Sequence, residues 1–549
     1  MQRAIRTTLL ASAGMFMAAA CTSTTSSLQA VAPALFTVQS TPDRNTLQKS
    51  AEGYLATLLA DPANTEITLV SVNTSLISSG SEKMLVSLPN GKAAQFERHS
   101  SNAIAAGLNG WVGYKPSEWK SQHASSSSEI DIDPLYYLSL VREGDSVVGN
   151  VILDGQRYRL ETVGTDKYAL IKVDESKLPP EAEPLVVPDN RNAVSSPESP
   201  RSEHSTIRVL LVSTNTVRAA DPNYRVAMAQ ALQDANAYME NSGVDITYEM
   251  AGFYDADYTE TGDNNQLLDL QNRSHPLGAS VRPVRESLRA DLVTMYTTSR
   301  AYCGHGYVDA TRDYAFSTVA CLPSMSHELG HNLGGNHNWE SGDAYGNPPY
   351  KFGYRYSATP RFRTQLSYEC LDGTCPRIPY HSNPRLTYQG KALGTVAHHD
   401  VARRFNERRQ IIEDFYPVPP KGEWTMLENQ DRRNRLKTHA ALFATYPSTE
   451  VDLRQMGTGS FWIIDTVPDG KIIRMAAVPA YCLVPHGDDR VKIGRCADEP
   501  STWDIQVRSS GFKKLRNSAT GKCLATEMNL NIPVLQACDL RSTQDWITQ

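Results

Sequence analysis

The stretch from Ser326 to Asn338 reads SHELGHNLGGNHN and contains three histidines at fixed spacings. His327 and His331 are four residues apart, so on an α-helix both imidazoles project from one face and can bind the same metal ion. Gly334 ends the helix and lets the chain turn, which brings His337 in as a third ligand. Three protein ligands leave one coordination position open, as in catalytic zinc sites, and Zn2+ is therefore the predicted cofactor.

Glu328 follows the first predicted ligand directly. Its carboxylate is placed to hold a water molecule at the metal, not to bind the metal itself. We therefore expect Glu328 to be the general base that takes a proton from this water during hydrolysis. The complete set of spacings arises rarely by chance, which disfavours an ordinary helix with surface histidines.

The pattern HExxHxxGxxH resembles that of the metzincin zinc endopeptidases, which hydrolyse peptide bonds in proteins. The resemblance implies a Met-turn beneath the zinc, and the matching segment 362–370, FRTQLSYEC, carries Leu366 where the family has methionine. Leucine can form a similar apolar floor because its volume is close to that of methionine. Tyr368 follows two residues later, as in metzincins whose tyrosine stabilises the transition state. A core tyrosine is the alternative for this position.

The resemblance also covers the rest of the stretch from 207 to 416, which is similar to the bacterial reprolysin-like group that includes peptidyl-Asp metalloendopeptidases. Asn338 stands where the reprolysin branch usually has aspartate. The segment YAFSTVA, from Tyr314 to Ala320, matches the edge strand on which metzincins pair the backbone of an extended substrate. Protein and peptide substrates are therefore the implied partners.

The predicted fold class is α+β with several domains, of which residues 207–417 form a metzincin-type catalytic domain with a mixed sheet and a zinc helix. The apolar run Ile207–Thr214 predicts a buried strand. Asp221-Pro222 opens a predicted helix, and the stretch from 401 to 416 predicts the last helix of this domain.

Residues 177–206 are rich in Pro, Ser and Glu and predict an exposed linker with cleavage points at Arg191 and Arg201.

Residues 22–176 predict a strand-rich pro-domain that would make the protein a zymogen. An amphipathic helix is expected from Leu47 to Leu59, and Asn90-Gly91 and Asp154-Gly155 predict hairpin turns. Inhibition would come from a carboxylate or from steric cover, with the acidic stretch Glu129–Asp133 as a candidate. A permanent accessory domain is the alternative.

Residues 1–20 have the pattern of a secretory signal peptide, with Arg3 and Arg6 before a short apolar run. The following Cys21 resembles the lipidated cysteine of a bacterial lipobox. The alternative is ordinary signal cleavage after Ala20. Both readings predict an exported protein, either an outer-membrane or cell-surface lipoprotein or a secreted one, with membrane contact only through the lipid.

The sequence has nine cysteines, and eight remain when Cys21 is set aside. These eight form close neighbours along the chain, which suggests local disulfides, although spacing alone cannot fix the connectivity. The suggested pairs are Cys303 with Cys321, Cys370 with Cys375, Cys482 with Cys496, and Cys523 with Cys538.

Residues 424–549 contain a weak repeat in which Trp462, Trp503 and Trp546 each close a unit. Three strand-rich units ending in tryptophan resemble the ricin-type β-trefoil lectins, and the last unit keeps the family's Gln-x-Trp signature at Gln544-Asp545-Trp546. The resemblance implies glycans as additional ligands, although a purely structural trefoil is an equal alternative. A lectin with a weakly active or inactive protease domain is therefore the competing function.

The composition of the chain excludes some classes of function. The formal net charge is -6, so the chain lacks the basic field that general nucleic-acid binding requires, and no nucleic-acid partner is predicted. A mean hydropathy of -0.41 argues against a polytopic membrane protein.

Overall fold

The computed structural model describes residues 32–105, 108–123, 127–188, 202–261, 264–339, 347–416, 424–429, 434–438, 449–454, 461–475, 481–487, 489–496, 501–508, 511–526 and 533–548. The predicted signal peptide and Cys21 lie outside the described residues. Within those ranges, no helix has both the length and the apolar character needed to cross a bilayer. Strands dominate and helices are few, in agreement with the predicted α+β class.

The N-terminal region is an antiparallel sheet with short helices at its margins. Its strands are β1 (Phe36–Val38), β2 (Asn64–Val72), β3 (Lys83–Ser87), β4 (Ala93–Ser100), β5 (Ala103–Ala105), β6 (Leu108–Pro116), β7 (Ile132–Glu143), β8 (Ser146–Leu153), β9 (Gln156–Gly164) and β10 (Lys167–Val173). Its helices are α1 (Arg44–Ser50), α2 (Gly53–Ala60) and α3 (Glu118–Gln122). The strand order is β1-β2-β10-β9-β8-β7-β6-β4-β3, with β5 beside β6.

Two expectations for this region have different outcomes. Both predicted hairpins form, and Leu153 pairs with Gln156 across the two-residue Asp154-Gly155 loop. The single helix predicted from Leu47 to Leu59 is wrong. The chain is extended at Ala51, and this extended residue separates α1 from α2.

The central region is built on a mixed sheet flanked by helices. Its strands are β11 (Leu185–Val186), β12 (Ser205–Ser213), β13 (Ile246–Asp255), β14 (Leu292–Tyr296), β15 (Gly304–Val308), β16 (Phe316–Val319), β17 (Asn336–Asn338), β18 (Phe352–Gly353), β19 (Arg355–Tyr356), β20 (Phe362–Arg363), β21 (Asn383–Tyr388) and β22 (Lys391–Leu393). Its helices are α4 (Asn215–Ala220), α5 (Tyr224–Asn241), α6 (Gln266–Gln271), α7 (Pro276–Leu288), α8 (Met325–Asn332) and α9 (Val401–Glu413). The main sheet has the order β11-β15-β16-β14-β12-β13.

The strand order corrects the prediction that the segment Tyr314–Ala320 is the edge strand. Its strand β16 lies inside the sheet, parallel to β14 and antiparallel to β15. The strand next to the edge is instead β15, whose sequence GHGYV contains two glycines. Glycine is depleted in strands, so the pattern of this segment does not predict a strand.

The predicted linker 177–206 needs a second correction. Leu185 and Val186 form β11, which pairs in parallel with Tyr307 and Val308 of β15. This part of the segment is therefore bound to the sheet, and the prediction of an exposed linker is wrong for it. The predicted cleavage points at Arg191 and Arg201 lie outside the described residues.

Helix α5 lies between the N-terminal sheet and the central sheet and presents a different face to each. Met228, Leu232 and Met239 are buried in an apolar cluster with strands of the central sheet. The opposite face carries polar side chains at helical spacing that bond to the N-terminal sheet, namely Gln230, Gln233, Asp234 and Asn241. The two regions are therefore joined along α5 by hydrogen bonds and also by an apolar cluster in which Ala237 and Tyr238 of α5 meet Val112 and Ile152 of the N-terminal sheet.

The C-terminal region is strand-rich throughout its described residues. Its strands are β23 (Trp424–Asn429), β24 (Asn434–Thr438), β25 (Thr449–Arg454), β26 (Phe461–Val467), β27 (Gly470–Met475), β28 (Tyr481–His486), β29 (Arg490–Arg495), β30 (Trp503–Val507), β31 (Lys513–Asn517), β32 (Cys523–Thr526), β33 (Pro533–Gln536) and β34 (Trp546–Thr548). Trp462, Trp503 and Trp546 are fully buried in one apolar cluster.

The disulfides agree with the pairs that cysteine spacing suggests. Bridges join Cys303 to Cys321, Cys370 to Cys375, Cys482 to Cys496, and Cys523 to Cys538. Two of them lie in the central region and two in the C-terminal region.

The contact between α5 and the N-terminal sheet gives a stability prediction. The Tyr137 hydroxyl donates a 2.6 Å hydrogen bond to the buried carboxylate of Asp234. Tyr137→Phe should lower the free energy of unfolding by about 2 kcal/mol, because a buried acceptor loses its donor while the ring is kept. Urea unfolding followed by circular dichroism measures the change. The control Tyr136→Phe alters a half-buried neighbour and should be neutral, whereas equal stability of the two variants would contradict the prediction.

Candidate metal centre

Helix α8 carries the first two predicted ligands on one face. His327 and His331 are both fully buried, one helical turn apart. The helix ends just before Gly334, whose φ of +88° belongs to the left-handed region that glycine adopts readily. The turn places His337 on β17, and the Nε2 atom of His337 lies 3.0 Å from that of His327 and 3.1 Å from that of His331.

The hydrogen bonds of the Nδ1 atoms fix the tautomers of the two histidines on α8. The Nδ1 atom of His327 lies 2.9 Å from the carbonyl oxygen of Gln365, and that of His331 lies 2.9 Å from the carbonyl oxygen of Gly335. A carbonyl oxygen can only accept, so both Nδ1 atoms must carry the proton. Both Nε2 atoms are therefore lone-pair donors, as metal ligation requires.

The same argument applies to His337 through Tyr368. The Tyr368 hydroxyl lies 2.6 Å from Oε1 of Glu183 and 2.5 Å from Nδ1 of His337. The hydroxyl donates its single proton to the Glu183 carboxylate, so it accepts from the Nδ1–H group of His337. The Nε2 atom of His337 is thus also a lone-pair donor.

Three imidazole lone pairs therefore converge in a buried space, an arrangement that is repulsive without a cation between them. Burial lowers the pKa of His331 to about 4, and it also lowers the pKa of His327 and of His337. Protonation therefore does not supply the missing positive charge near neutral pH. The donor set fits a metal ion that prefers imidazole ligands, and His327, His331 and His337 would hold it.

Glu328 lies beside the histidines with its carboxylate packed against β15. A Cβ atom at Gly304 would lie 2.2 Å from Oε1 of Glu328, so only glycine at this position leaves room for the carboxylate. Neither Glu328 oxygen has a hydrogen-bond partner within the described residues. Burial, and then the negative charge of Glu181, raise the pKa of Glu328 well above its ordinary value.

Leu366 lies where the resemblance places a Met-turn residue. It is 1% exposed and belongs to the apolar cluster that contains Leu329 and Phe405, beneath helix α8. The carbonyl of the preceding Gln365 holds His327, so the position of this turn is linked directly to the first ligand. The tyrosine two residues further on, Tyr368, packs against His337 with ring centroids 4.1 Å apart and ring planes inclined by 39°.

Residues from the predicted linker lie in the cleft beside the histidines. The Pro180 carbonyl accepts from Cys303 N, and Ala182 N donates to the Gly304 carbonyl. Between these two bonds, Glu181 comes within 4.8 Å of ligand atoms of His327 and Glu328. The sequence pattern does not predict this placement, because a Pro-rich segment has no periodicity that would assign it to a sheet edge.

The carboxylate expected to cover the site is therefore in a different segment from the one predicted. Glu129 of the acidic stretch accepts hydrogen bonds from the side chain of Thr387 and from the backbone of Gln389 and Gly390, so it holds a loop. Glu181 and Glu183 of the predicted linker contact the site instead.

Comparison with known proteins gives the family. A protein of Stenotrophomonas maltophilia named peptidyl-Asp metalloendopeptidase is 30% identical over 381 residues, which cover 66% of this chain and 90% of that protein. The chain belongs to the peptidyl-Asp metalloendopeptidase family. A relative of the same name from Xanthomonas campestris pv. campestris is 29% identical over 382 residues, covering 67% of this metalloendopeptidase and 89% of the relative. No family model matches the sequence.

Two solved structures that resemble the chain give low TM-scores. A chaperone-substrate complex gives a TM-score of 0.33 at 18% identity and covers 49% of this chain and 39% of that chain. A ricin B-like lectin from Macrolepiota procera in complex with lactose gives a TM-score of 0.20 at 14% identity, covering 24% of this chain and 96% of that chain. Scores this low support no inference about fold or ligand.

The geometry predicts that the metalloendopeptidase loses its metal when one imidazole is removed. His331→Ala should weaken metal binding by at least about 100-fold, because two ligands remain where three converge. Metal analysis by plasma mass spectrometry after dialysis measures the retained ion. His99→Ala, which changes an exposed histidine paired with Glu240, is the control and should keep the metal. Full metal retention in His331→Ala would contradict the assignment of the ligands.

Proposed function

We propose that the protein is an exported zinc endopeptidase of the metzincin type, made as a zymogen, that hydrolyses peptide bonds beside aspartate in protein substrates. The convergence of three lone-pair nitrogens from His327, His331 and His337 carries this proposal. The HExxHxxGxxH pattern supports the metzincin assignment, and so does the parallel sheet with an antiparallel strand β15. The name shared by the relatives supports aspartate as the preferred residue.

Zinc is the metal that this donor set and the family favour. Neutral imidazoles with bonded Nδ1–H groups are typical ligands of catalytic zinc. When bound, zinc would polarise the scissile carbonyl and make a water molecule nucleophilic near neutral pH.

Glu328 supplies the proton transfer in the proposed mechanism. It is next to His327 in sequence, it is buried, and its two oxygens are free of hydrogen bonds within the described part of the chain. The carboxylate takes a proton from the attacking water and delivers it to the leaving amine. Departure of Glu181 removes a neighbouring negative charge and so favours the ionised form that this step needs.

Tyr368 is placed to stabilise the oxyanion. Its hydroxyl lies beside the metal ligand His337, and its proton is directed at Glu183 as long as the segment stays in the cleft. Once Glu183 leaves, this proton can point at the negative oxygen that develops on the scissile carbonyl. Support of the His337 ring is a second task of the same residue.

The backbone of β15 offers the place for an extended substrate. Gly304 already accepts a hydrogen bond from Ala182, and β11 adds a strand to the same edge. A substrate that binds by strand addition would use these backbone groups in place of Ala182 and β11. Substrate and segment therefore compete for one edge.

Occupation of this edge by the chain itself supports synthesis as a zymogen. Residues 180–187 cover the cleft, and residues 32–176, which together with them form the covering region, pack on the far side of α5 through both apolar and polar side chains. The covering region can thus leave without exposing a wholly apolar face.

Export is supported by the signal-like residues 1–20 and by disulfides, which persist in oxidising compartments, and lipidation of Cys21 remains part of this proposal.

The C-terminal region has its own proposal, a ricin-type β-trefoil. The indole of Trp503 donates to the carbonyl of Leu483, and that of Trp546 donates to the carbonyl of Leu524. Each acceptor directly follows the first cysteine of its unit, so the two units repeat the same contact. Glycan binding by this region, with a weakly active or inactive protease domain, is the alternative function that the sequence resemblance predicts.

The role of Glu328 can be tested by an isosteric change. Glu328→Gln should lower kcat/KM on casein-derived peptides by about a thousandfold, because the amide cannot accept the proton. Bound zinc and the circular dichroism spectrum should stay unchanged. Glu118→Gln, at an exposed position, is the control. Activity of Glu328→Gln near that of the wild type would refute the proposed mechanism.

Two neighbouring valines test the zymogen proposal. Val187 is 3% exposed and packs in an apolar cluster with Tyr307, whereas Val186 is 77% exposed. Val187→Asp should raise the peptidase activity of the uncleaved chain by about tenfold or more, because burying the new carboxylate is unfavourable and the segment leaves the cleft. Val186→Asp adds the same charge at a solvated position and should have no effect. Equal activities of the two variants would argue against inhibition by this segment.

A further inference from the structure

Arg377 is a buried cation at the edge of the metal centre, and its charge partner belongs to the covering segment. Its guanidinium donates to Oε1 of Glu181 over 3.0 Å, and the two side chains are 11% and 6% exposed. Within the described part of the chain, this is the one ion pair that Arg377 makes. The partner is therefore lost whenever residues 180–187 leave the cleft.

The place of the Glu181 carboxylate has the features of a side-chain subsite. Oε1 also accepts a 2.7 Å hydrogen bond from Ser324, which directly precedes helix α8. The backbone on both sides of Glu181 is fixed by bonds to Cys303 and Gly304, in the manner of a bound peptide. The carboxylate lies close to His327 and Glu328, so it marks a position next to the reacting centre.

A second buried arginine shows that this arrangement is particular to Arg377. Arg363 is 4% exposed and pairs with Glu369 over 2.6 Å, in addition to Glu175. Glu369 belongs to the central region and stays when the segment leaves, so Arg363 keeps a counterion. Arg377 would be left as a buried charge without one, which is strongly unfavourable unless another anion replaces Glu181.

We propose that Arg377, with Ser324, forms the subsite that selects an acidic substrate side chain beside the scissile bond, and that Glu181 occupies this subsite as a built-in substitute. The inference rests on the proposed peptidase function and names the residue behind its preference. A carboxylate of the substrate restores the ion pair of Arg377 and the hydrogen bond of Ser324. An amide or an alkyl group carries no negative charge and cannot restore the ion pair, so a substrate with such a side chain is rejected.

Cleavage of two peptides tests the subsite. They carry a single Asp or a single Asn at the same place in an otherwise uncharged sequence, and mass spectrometry locates the cut. The wild-type chain should prefer the Asp peptide, and Arg377→Met should reduce the ratio of the two kcat/KM values by about 100-fold. Arg377→Lys keeps the charge and should retain part of the preference. Arg361→Met, which alters a surface arginine paired with Asp372, should leave the ratio unchanged.

A binding measurement separates this inference from the proposed function. Glu181→Ala empties the subsite, and fluorescence anisotropy of the labelled Asp and Asn peptides is measured on the full chain stripped of metal with a chelator. Compared with the wild type, Glu181→Ala should bind both peptides about tenfold more tightly, because the competing segment loses its ion pair, and it should bind the Asp peptide more tightly than the Asn peptide. This measurement needs no change at Arg377, so it holds even if Arg377→Met fails to fold.

The outcomes are distinct. Cleavage of neither peptide by any variant, including the uncovered Val187→Asp chain, would refute the proposed function, and the binding comparison would then decide the subsite alone. Cleavage with the same Asp preference in the wild type and in folded Arg377→Met would overturn the role of Arg377. Asp affinity that does not rise in Glu181→Ala would overturn the role of Glu181 as the built-in occupant.

Discussion

The constraint on which the site depends is the protonation of three Nδ1 atoms. Lone pairs can converge on a metal only if each histidine keeps its proton on the outward nitrogen, and each proton then needs its own acceptor. The Gln365 carbonyl, the Gly335 carbonyl and the Tyr368 hydroxyl provide these acceptors. One comes from the turn that ends α8 and two come from the segment that returns beneath it. The fold of that segment is therefore part of the metal site, although it contributes no ligand.

The same reasoning explains why the chain itself fills the cleft. The convergent histidine lone pairs make the centre of the site electron-rich, and the Arg377 guanidinium makes its edge cationic. Residues 180–187 provide hydrogen-bond and charge partners for the groups at this edge. Glu183 accepts the proton of Tyr368, and Glu181 pairs with Arg377. Glu181 also raises the pKa of Glu328, after burial, and so disfavours the ionised form of that carboxyl group. The charges that hold residues 180–187 in the cleft therefore also act on Glu328.

The sequence predicts the parts that depend on local periodicity. Helix α8, the buried strand β12 and the cysteine pairs follow from local composition and spacing: each element has its own apolar or histidine pattern, and paired cysteines such as Cys303 and Cys321 are neighbours along the chain. It fails where tertiary pairing overrides composition. The glycines of β15 conceal a strand because they make room for Glu328, and the prolines before β11 conceal a paired segment. Arg377 carries no local signal either, since its importance comes from an ion pair with a residue 196 positions away.

The covering region supplies more than one counterion to the central region, and this makes its attachment dependent on pH. Glu175 pairs with Arg157 over 2.5 Å and with Arg363 over 3.2 Å. Burial raises the pKa of Glu175, but the positive charges of Arg157, Arg363 and Arg377 outweigh burial and lower it to about 2, from an ordinary value of 4.5. A carboxyl group whose pKa is lowered in the folded protein stabilises the folded state at pH values above its ordinary pKa. This contribution is lost as the pH falls towards 2. Acid therefore weakens the attachment through Glu175, whereas near neutral pH the ionised carboxylate holds the covering region on Arg363 of the central region.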